Sequence, residues 1–242
     1  MRLLPRRLPR RDSRQTVRPR EALDREEAGG EVMSEIQRTD EWFAARLGKA
    51  TASRIADIVA RTKSGYSASR ANYAAQLVAE RLTGVVGESF SNTAMQWGTA
   101  TEPEARAAYE WETDATVVEV GFIDHPRIAM SGASPDGLVG DDGLVEIKAP
   151  NTATHIATLL GGKVIPSKYE AQVQWQMACT GRQWCDFVSY DPRLPDEMRL
   201  FVVREKRNDA RISELEKEVE TFLAEVDDTV RRLRERYMRE AA

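Results

Sequence analysis

The stretch GASPDGLVGDDGLVEIKAP, Gly132 to Pro150, carries a Ser-Pro-Asp-Gly turn, a second break rich in glycine and aspartate, and an apolar run holding Glu146 and Lys148 one residue apart. A strand period of two puts Glu146 and Lys148 on one face of GLVEIKA and Val145 and Ile147 on the other. Charge on one face and apolar groups opposite fit an exposed edge strand, the commoner origin of an isolated E-x-K triplet. The alternative is a metal site. Asp136 lies ten residues before Glu146, so a hairpin or short crossover returns its carboxylate to the strand. Hard divalent ions such as Mg²⁺ take oxygen ligands, usually with only one or two carboxylates. A neighbouring ammonium can orient or deprotonate water and balance phosphate charge. Such a set suits phosphodiester hydrolysis.

Working outward, TVVEVGFI and RIAMSG on the N-terminal side read as strands, being short Val- and Ile-rich runs broken by Gly, Pro and Asp. On the C-terminal side SKYEAQVQWQMACTG reads as a helix, followed by strand-like WCDFVSYD and RLFVVRE. The first half of the chain is helical in pattern. DEWFAARLG has an Asp cap and a Gly48 stop, TASRIADIVA begins at a Thr51 or Ser53 cap, SASRANYAAQLVAERLTG ends at Gly84, and TEPEARAAYEWET carries Pro103 in its first turn. Residues 209–240 space Ile212, Leu215, Val219, Phe222, Val226, Val230 and Leu233 at threes and fours, which predicts an amphipathic helix docked by one face on its own domain.

The chain of 242 residues is long enough to bury a real core, and a single domain over 33–242 is expected. No run of about 18 apolar residues is present to cross a bilayer. Two cysteines, Cys179 and Cys185, are too few for a disulfide scaffold or a four-thiolate cluster, and a reducing cytoplasm fits them. The net charge of −4 argues against coating nucleic acid by bulk charge, though a localised basic cleft remains compatible with it. Residues 1–32 are Arg- and Pro-rich and carry +3, leaving about −7 for the remainder. They lack the apolar core of a secretory signal and are expected to be disordered; a mobile DNA-binding arm and a transit peptide compete with the favoured reading, a plain tail or sequence upstream of a start at Met33.

The order P-D, about ten residues, then E-x-K is the signature of the PD-(D/E)xK nucleases. More specific are RLGKATAS, WGTATEPEAR, SPDGLV, LVEIKAPNTATH, YEAQVQWQMACTG and FVSYDPR, which in this order and spacing resemble the phage lambda exonuclease family, the YqaJ-type viral recombinases, over roughly Asp40 to Glu205. The resemblance implies an α/β (α+β) fold with a restriction-endonuclease-like core, a central mixed β-sheet flanked by helices, and a helical N-terminal portion. It implies that Asp136, Glu146 and the backbone carbonyl of Ile147 ligate Mg²⁺, with Mn²⁺ as a substitute and two ions expected, and that Lys148 positions or activates the attacking water. Glu102, in W-G-x-x-x-E, would be a further acidic ligand, through water or to a second ion. Gln172 matches the glutamine beside the site, with Gln174 as the bystander on another helix face. Arg46 would grip the 5′-phosphate of the digested strand, with Ser53 and Ser134 donating hydrogen bonds nearby.

The activity implied is Mg²⁺-dependent 5′-to-3′ digestion of one strand of linear double-stranded DNA to 5′-mononucleotides, leaving a 3′ overhang. The implied setting is the bacterial host cytoplasm, phage or prophage encoded, with a single-strand annealing protein as partner and a homotrimer ring around DNA. A PD-(D/E)xK endonuclease and a non-catalytic DNA-end-binding scaffold are the alternatives. His125 and His155 lie 30 residues apart with no third ligand patterned around them, which favours surface or capping roles over zinc. Trp97, Trp175 and Trp184 read as core. Gly161 and Gly162 mark either a turn or a loop over the DNA path, with Lys163 and Lys168 at hand.

Overall fold

The computed structural model describes residues 37–87 and 93–238; the Arg-rich residues 1–32 and the last residues of the 209–240 segment lie outside the described residues. The N-terminal half holds α1 (Asp40–Arg46), β1 (Ala50–Thr51), a 3-10 turn (Ala52–Arg54), α2 (Ile55–Val59), the hairpin β2 (Arg61–Thr62) and β3 (Gly65–Tyr66), α3 (Ala68–Thr83) and α4 (Thr93–Thr113). Then come β4 (Val117–Val118), β5 (Ile123–Asp124), β6 (Ser131–Ala133), β7 (Gly137–Val139) and β8 (Gly143–Lys148). The remainder is α5 (Thr152–Leu160), α6 (Ser167–Thr180), β9 (Trp184–Tyr190), α7 (Asp196–Arg199), β10 (Leu200–Lys206) and α8 (Asp209–Tyr237).

The main sheet has the order β10-β9-β8-β7-β4. It is mixed, because β8 and β9 run parallel while the other neighbours are antiparallel. The parallel pair needs a crossover, and α5 and α6 supply it. A smaller sheet, β1-β6-β5, lies beside it. The chain passes from β6 to β7, and so from one sheet to the other, through Ser134, Pro135 and Asp136. Gly132 in β6 is needed at that point, since a Cβ there would sit 2.5 Å from the Ile123 carbonyl oxygen.

Each face of the main sheet is covered by a helix. Val145, Ile147 and Val188 pack with Ala105 and Tyr109 of α4, and Leu144 and Cys185 pack with Val173 and Met177 of α6. A third cluster joins α2, α3, α6 and α8, where Leu215, Val219, Phe222, Val226 and Val230 of α8 are all buried, while Ile212 packs with Val173 and Met177 of α6. Each such side chain contributes roughly 1.5–3 kcal/mol of transfer free energy, so the amphipathic stripe holds α8 down along its length.

Several expectations from the sequence need correction. β8 is an interior strand rather than an edge, and Glu146 is 1% exposed. Pro103 is not in a first turn but lies well inside α4, where it removes the N–H that would meet the Thr99 carbonyl. The helix tolerates this because Pro103 is on its exposed side and the turn upstream continues the helical pattern. TASRIADIVA opens as strand and 3-10 turn, and neither Thr51 nor Ser53 caps it by a side-chain hydrogen bond. α5, started by Asn151 accepting from Thr154 N at 2.9 Å, was not anticipated. His125 and His155 are buried rather than at the surface, although His125 does cap a turn, its Nδ1 accepting from Arg127 N and Ile128 N. His155 Nδ1 bonds Ser189 Oγ and its Nε2 bonds the Met198 carbonyl, each at 2.8 Å. Trp175 is fully buried, whereas Trp97 and Trp184 are half-buried beneath arginines. Gly161 and Gly162 lie in a short exposed connection between α5 and α6. Among the described residues no helix is long and apolar enough to cross a membrane.

Candidate active site

The site forms where β7 stops pairing with β8. The β7 register ends at Gly137↔Val145, and beyond it Ile147 has no β7 partner. Asp136, the residue just before β7, takes that place: its Oδ2 accepts the Ile147 N–H at 2.6 Å. In a strand the N–H and C=O of one residue point to the same side, so the Ile147 carbonyl faces Asp136 as well. Gly137 lets the turn close up, since a Cβ there would run into Val117.

The Glu146 side chain points toward α6, on the face opposite the Val145 and Ile147 side chains. Gln172 Nε2 donates to its Oε1 at 2.6 Å, Gln176 Nε2 donates to its Oε2 at 2.5 Å, and the Lys148 ammonium pairs with its Oε1. Gln172 and Gln176 are one turn apart on the same helix face, whereas Gln174 turns away to the Lys206 carbonyl and the Asn208 N–H. The helix period read from the sequence put Gln172 and Gln174 on different faces, and Gln172, the one the resemblance singled out, is the one that meets Glu146, while Gln174 is buried against β10 and Gln176 was missed. Its signal was available as the position four residues after Gln172.

Electrostatics follow from burial. The Asp136 carboxyl is raised well above the ordinary aspartate value, by burial first and then by the charges of Glu146 and Glu102. Burial works against the Lys148 ammonium, but Glu146 and Asp136 outweigh it and hold Lys148 above the ordinary lysine value. The Lys148 ammonium pairs with Glu146, and the Gln176 Oε1 is buried with no hydrogen-bond partner. Two carboxylates and a peptide carbonyl are hard oxygen donors, so the set fits a divalent cation that keeps water among its ligands.

Both carboxylate oxygens of Glu102 are engaged by arginines. Its Oε2 accepts from Arg38 at 2.7 Å and its Oε1 from Arg106 at 3.0 Å. Among the described residues no group of three His, Cys, Asp or Glu side chains is arranged to hold a metal by itself.

A cavity of about 720 Å³ lies between α1, α3 and α4, and its lining includes Arg38, Trp42, Arg46, Lys49, Ser53 and Arg54. Arg46 lies over the Trp42 ring with its guanidinium carbon 4.0 Å from the centroid, and its Nη1 is 3.5 Å from Ser134 Oγ. Trp42 Nε1 donates to the same hydroxyl at 2.9 Å. Burial lowers Arg46 to about 10, which still leaves it charged at neutral pH. Ser53 is exposed on the cavity wall. The structure therefore gathers Asp136, Glu146, Lys148, Ile147 and Gln172 in one cluster, and Arg46 and Ser134 at the adjoining cavity. Ser134 and Asp136, two residues apart, join the two.

Residues 41–183 match the family described as YqaJ-like viral recombinase domain. The chain is similar to LHK-Exo in complex with dAMP at 59% identity, covering 84% of this chain and 100% of that one with a TM-score of 0.77. The alkaline exonuclease LHK-Exo from Laribacter hongkongensis matches at 58% identity over the same shares, again with a TM-score of 0.77. A phage related exonuclease from Haemophilus somnus 129PT, 14% identical over 76% of this chain and 96% of that one with a TM-score of 0.59, shares the fold. No curated protein matches the chain. The match over 41–183 and the identity to LHK-Exo lead to one assignment: the chain belongs to the YqaJ-like viral recombinase domain family and is a nuclease of the PD-(D/E)xK fold.

Proposed function

We propose that residues 33–242 form one exonuclease domain that digests one strand of linear double-stranded DNA from its 5′ end, releasing 5′-mononucleotides and leaving a 3′ overhang for phage-type recombination by single-strand annealing. The observation that carries this reading is that Ser134, two residues before Asp136 of the Asp136–Glu146–Lys148 cluster, bonds Trp42 and Arg46 of the cavity. A cavity with a half-buried, charged arginine suits a terminal phosphate, and a strand held there by its end would present its first internal phosphate to the acids. The dAMP bound to LHK-Exo is a mononucleotide of the kind such cleavage releases.

Asp136, Glu146 and the Ile147 carbonyl would hold Mg²⁺, or Mn²⁺ in its place, with Glu102 serving as a further acidic ligand through water or to a second ion. When bound, a divalent cation polarises phosphoryl oxygens and makes water a stronger nucleophile at neutral pH. Gln172 and Gln176 orient the Glu146 carboxylate, and Asp136 is fixed by the Ile147 N–H. Lys148, held as an ammonium, orients the incoming water and stabilises the charge that develops on the phosphoryl group. Arg46 offers two parallel N–H donors to the 5′-phosphate, with Ser134 and Ser53 beside it. A homotrimer ring would let an acidic body thread DNA through a basic bore, with the annealing protein acting on the strand left behind.

The test is digestion, with Mg²⁺ and with EDTA, of three matched duplexes: linear with 5′-phosphates, linear with 5′-hydroxyls, and covalently closed circular. Mg²⁺-dependent loss of the phosphorylated linear form with the circle intact is expected. Cutting of the circle would move the protein to the endonucleases, and no cutting would leave a DNA-end-binding scaffold.

A further inference from the structure

We propose that Arg38 binds a backbone phosphate of the digested strand between the Arg46 cavity and the acidic pair, and that Glu102 is the residue that positions it. This rests on the nuclease reading above and adds to it a DNA contact at a segment outside the E-x-K constellation.

Arg38 is fixed from both sides. The Gln37 amide donates to the Val120 carbonyl at 3.1 Å and to the Pro135 carbonyl at 2.8 Å, next to Asp136. Thr39 caps α1 by accepting the Trp42 N–H. Between these anchors Arg38 takes φ 69°, in the left-handed region that side-chain-bearing residues rarely occupy. Such backbones persist where the surroundings hold them, and they cluster at ligand clamps. The conformation sends the guanidinium to Glu102 on α4, on the opposite wall.

Neutralising Glu102 does not require Arg38. Arg106, one turn further along the same helix and 14% exposed, already pairs with it. Arg38 is 46% exposed, and it shares the cavity wall with Arg46, Lys49 and Ser53. Its other neighbours lie on the acidic side: Glu102 is close enough for its charge to act on Asp136. A strand running from Arg46 to Asp136 and Glu146 therefore crosses Arg38. A guanidinium fork set by a carboxylate is shaped for a phosphate, which presents the same pair of oxygens.

Binding of a fluorescent duplex with a 5′-phosphate, measured by anisotropy over a salt series with Ca²⁺ replacing Mg²⁺, tests this. Arg38→Ala should weaken binding about tenfold and make the slope of log K against log salt shallower by about 0.7–0.9, the loss of one phosphate contact. Arg38→Lys should keep the slope, and Glu102→Gln should keep it with weaker binding. An Arg38→Ala slope equal to wild type would overturn the proposal. Should Arg38→Ala fail to fold, Arg38→Gln replaces it, with the same slope deciding. If wild type fails to digest linear DNA, the nuclease reading fails; if it digests and the slopes agree, only the Arg38 assignment fails.

Discussion

Asp136 stands in for a missing strand partner of Ile147, accepting at 2.6 Å the N–H that β7 leaves free. That single bond brings a carboxylate to the side of β8 where the Ile147 carbonyl faces, while Glu146 projects from the adjacent residue. Hairpin geometry and the acidic site are thus the same feature.

Asp136→Asn keeps an oxygen acceptor for Ile147 N–H but removes one of two buried like charges. In EDTA its melting temperature should equal or exceed wild type, by about 2–4 °C for each 1 kcal/mol of relieved repulsion in a chain of this size. Hydrolysis should fall on the order of 100-fold or more. A marked loss of stability would show that the carboxylate charge is needed by the fold.

The three glutamines of α6 should separate. Leu at 172 or 176 removes a donor to the buried Glu146 carboxylate, which costs about 1–3 kcal/mol and should weaken Mn²⁺ binding, read by calorimetry, about 10–100-fold. Gln174→Leu breaks bonds to Lys206 and Asn208 and should lower the urea midpoint while leaving Mn²⁺ affinity and digestion within about twofold. Equal loss of metal affinity in all three would refute the assignment of Gln172 and Gln176 to Glu146.

Arg46→Ala should reduce the preference for 5′-phosphorylated over 5′-hydroxyl ends by roughly tenfold or more, the scale of a charge-assisted hydrogen bond. The readout is the ratio of initial digestion rates on the two linear duplexes. An unchanged ratio with lower rates on both would make Arg46 a structural partner of Trp42 and Ser134.

His125 should make the fold acid-sensitive. Its Nδ1 accepts from Ile128 N at 3.0 Å and Arg127 N at 3.3 Å, its ring stacks on Trp175, and its Nε2 lies 3.3 Å from Glu216. Burial depresses its pKa, and Arg127 and Arg207 add to this against the opposing pull of Glu216. The unfolded chain, titrating near about 6.5, then binds a proton the folded chain refuses. His125 therefore contributes stability that is complete above about pH 6.5 and lost as pH falls from there through the depressed folded value. Urea midpoints at pH 7.5 and 5.5 should differ less in His125→Asn than in wild type. Parallel pH dependence in both proteins would assign the acid sensitivity to other groups.

The alternation of GLVEIKA and the spacing of Asp136 ahead of it determined which side chains share a face, because strand and helix periods are local properties of the chain. The same logic separated Gln172 from Gln174 and laid the apolar stripe of α8. Only the tertiary structure decided that β8 is interior, since its neighbours β7 and β9 are chosen by pairing across a turn on one side and two helices on the other. It also decided that Glu102 answers to Arg38 and Arg106, that Gln176 joins Gln172, and that both histidines are buried. These facts depend on which distant groups compete for one carboxylate or one cavity. Burial makes that competition decisive, because a charge removed from water must find its partners inside the fold.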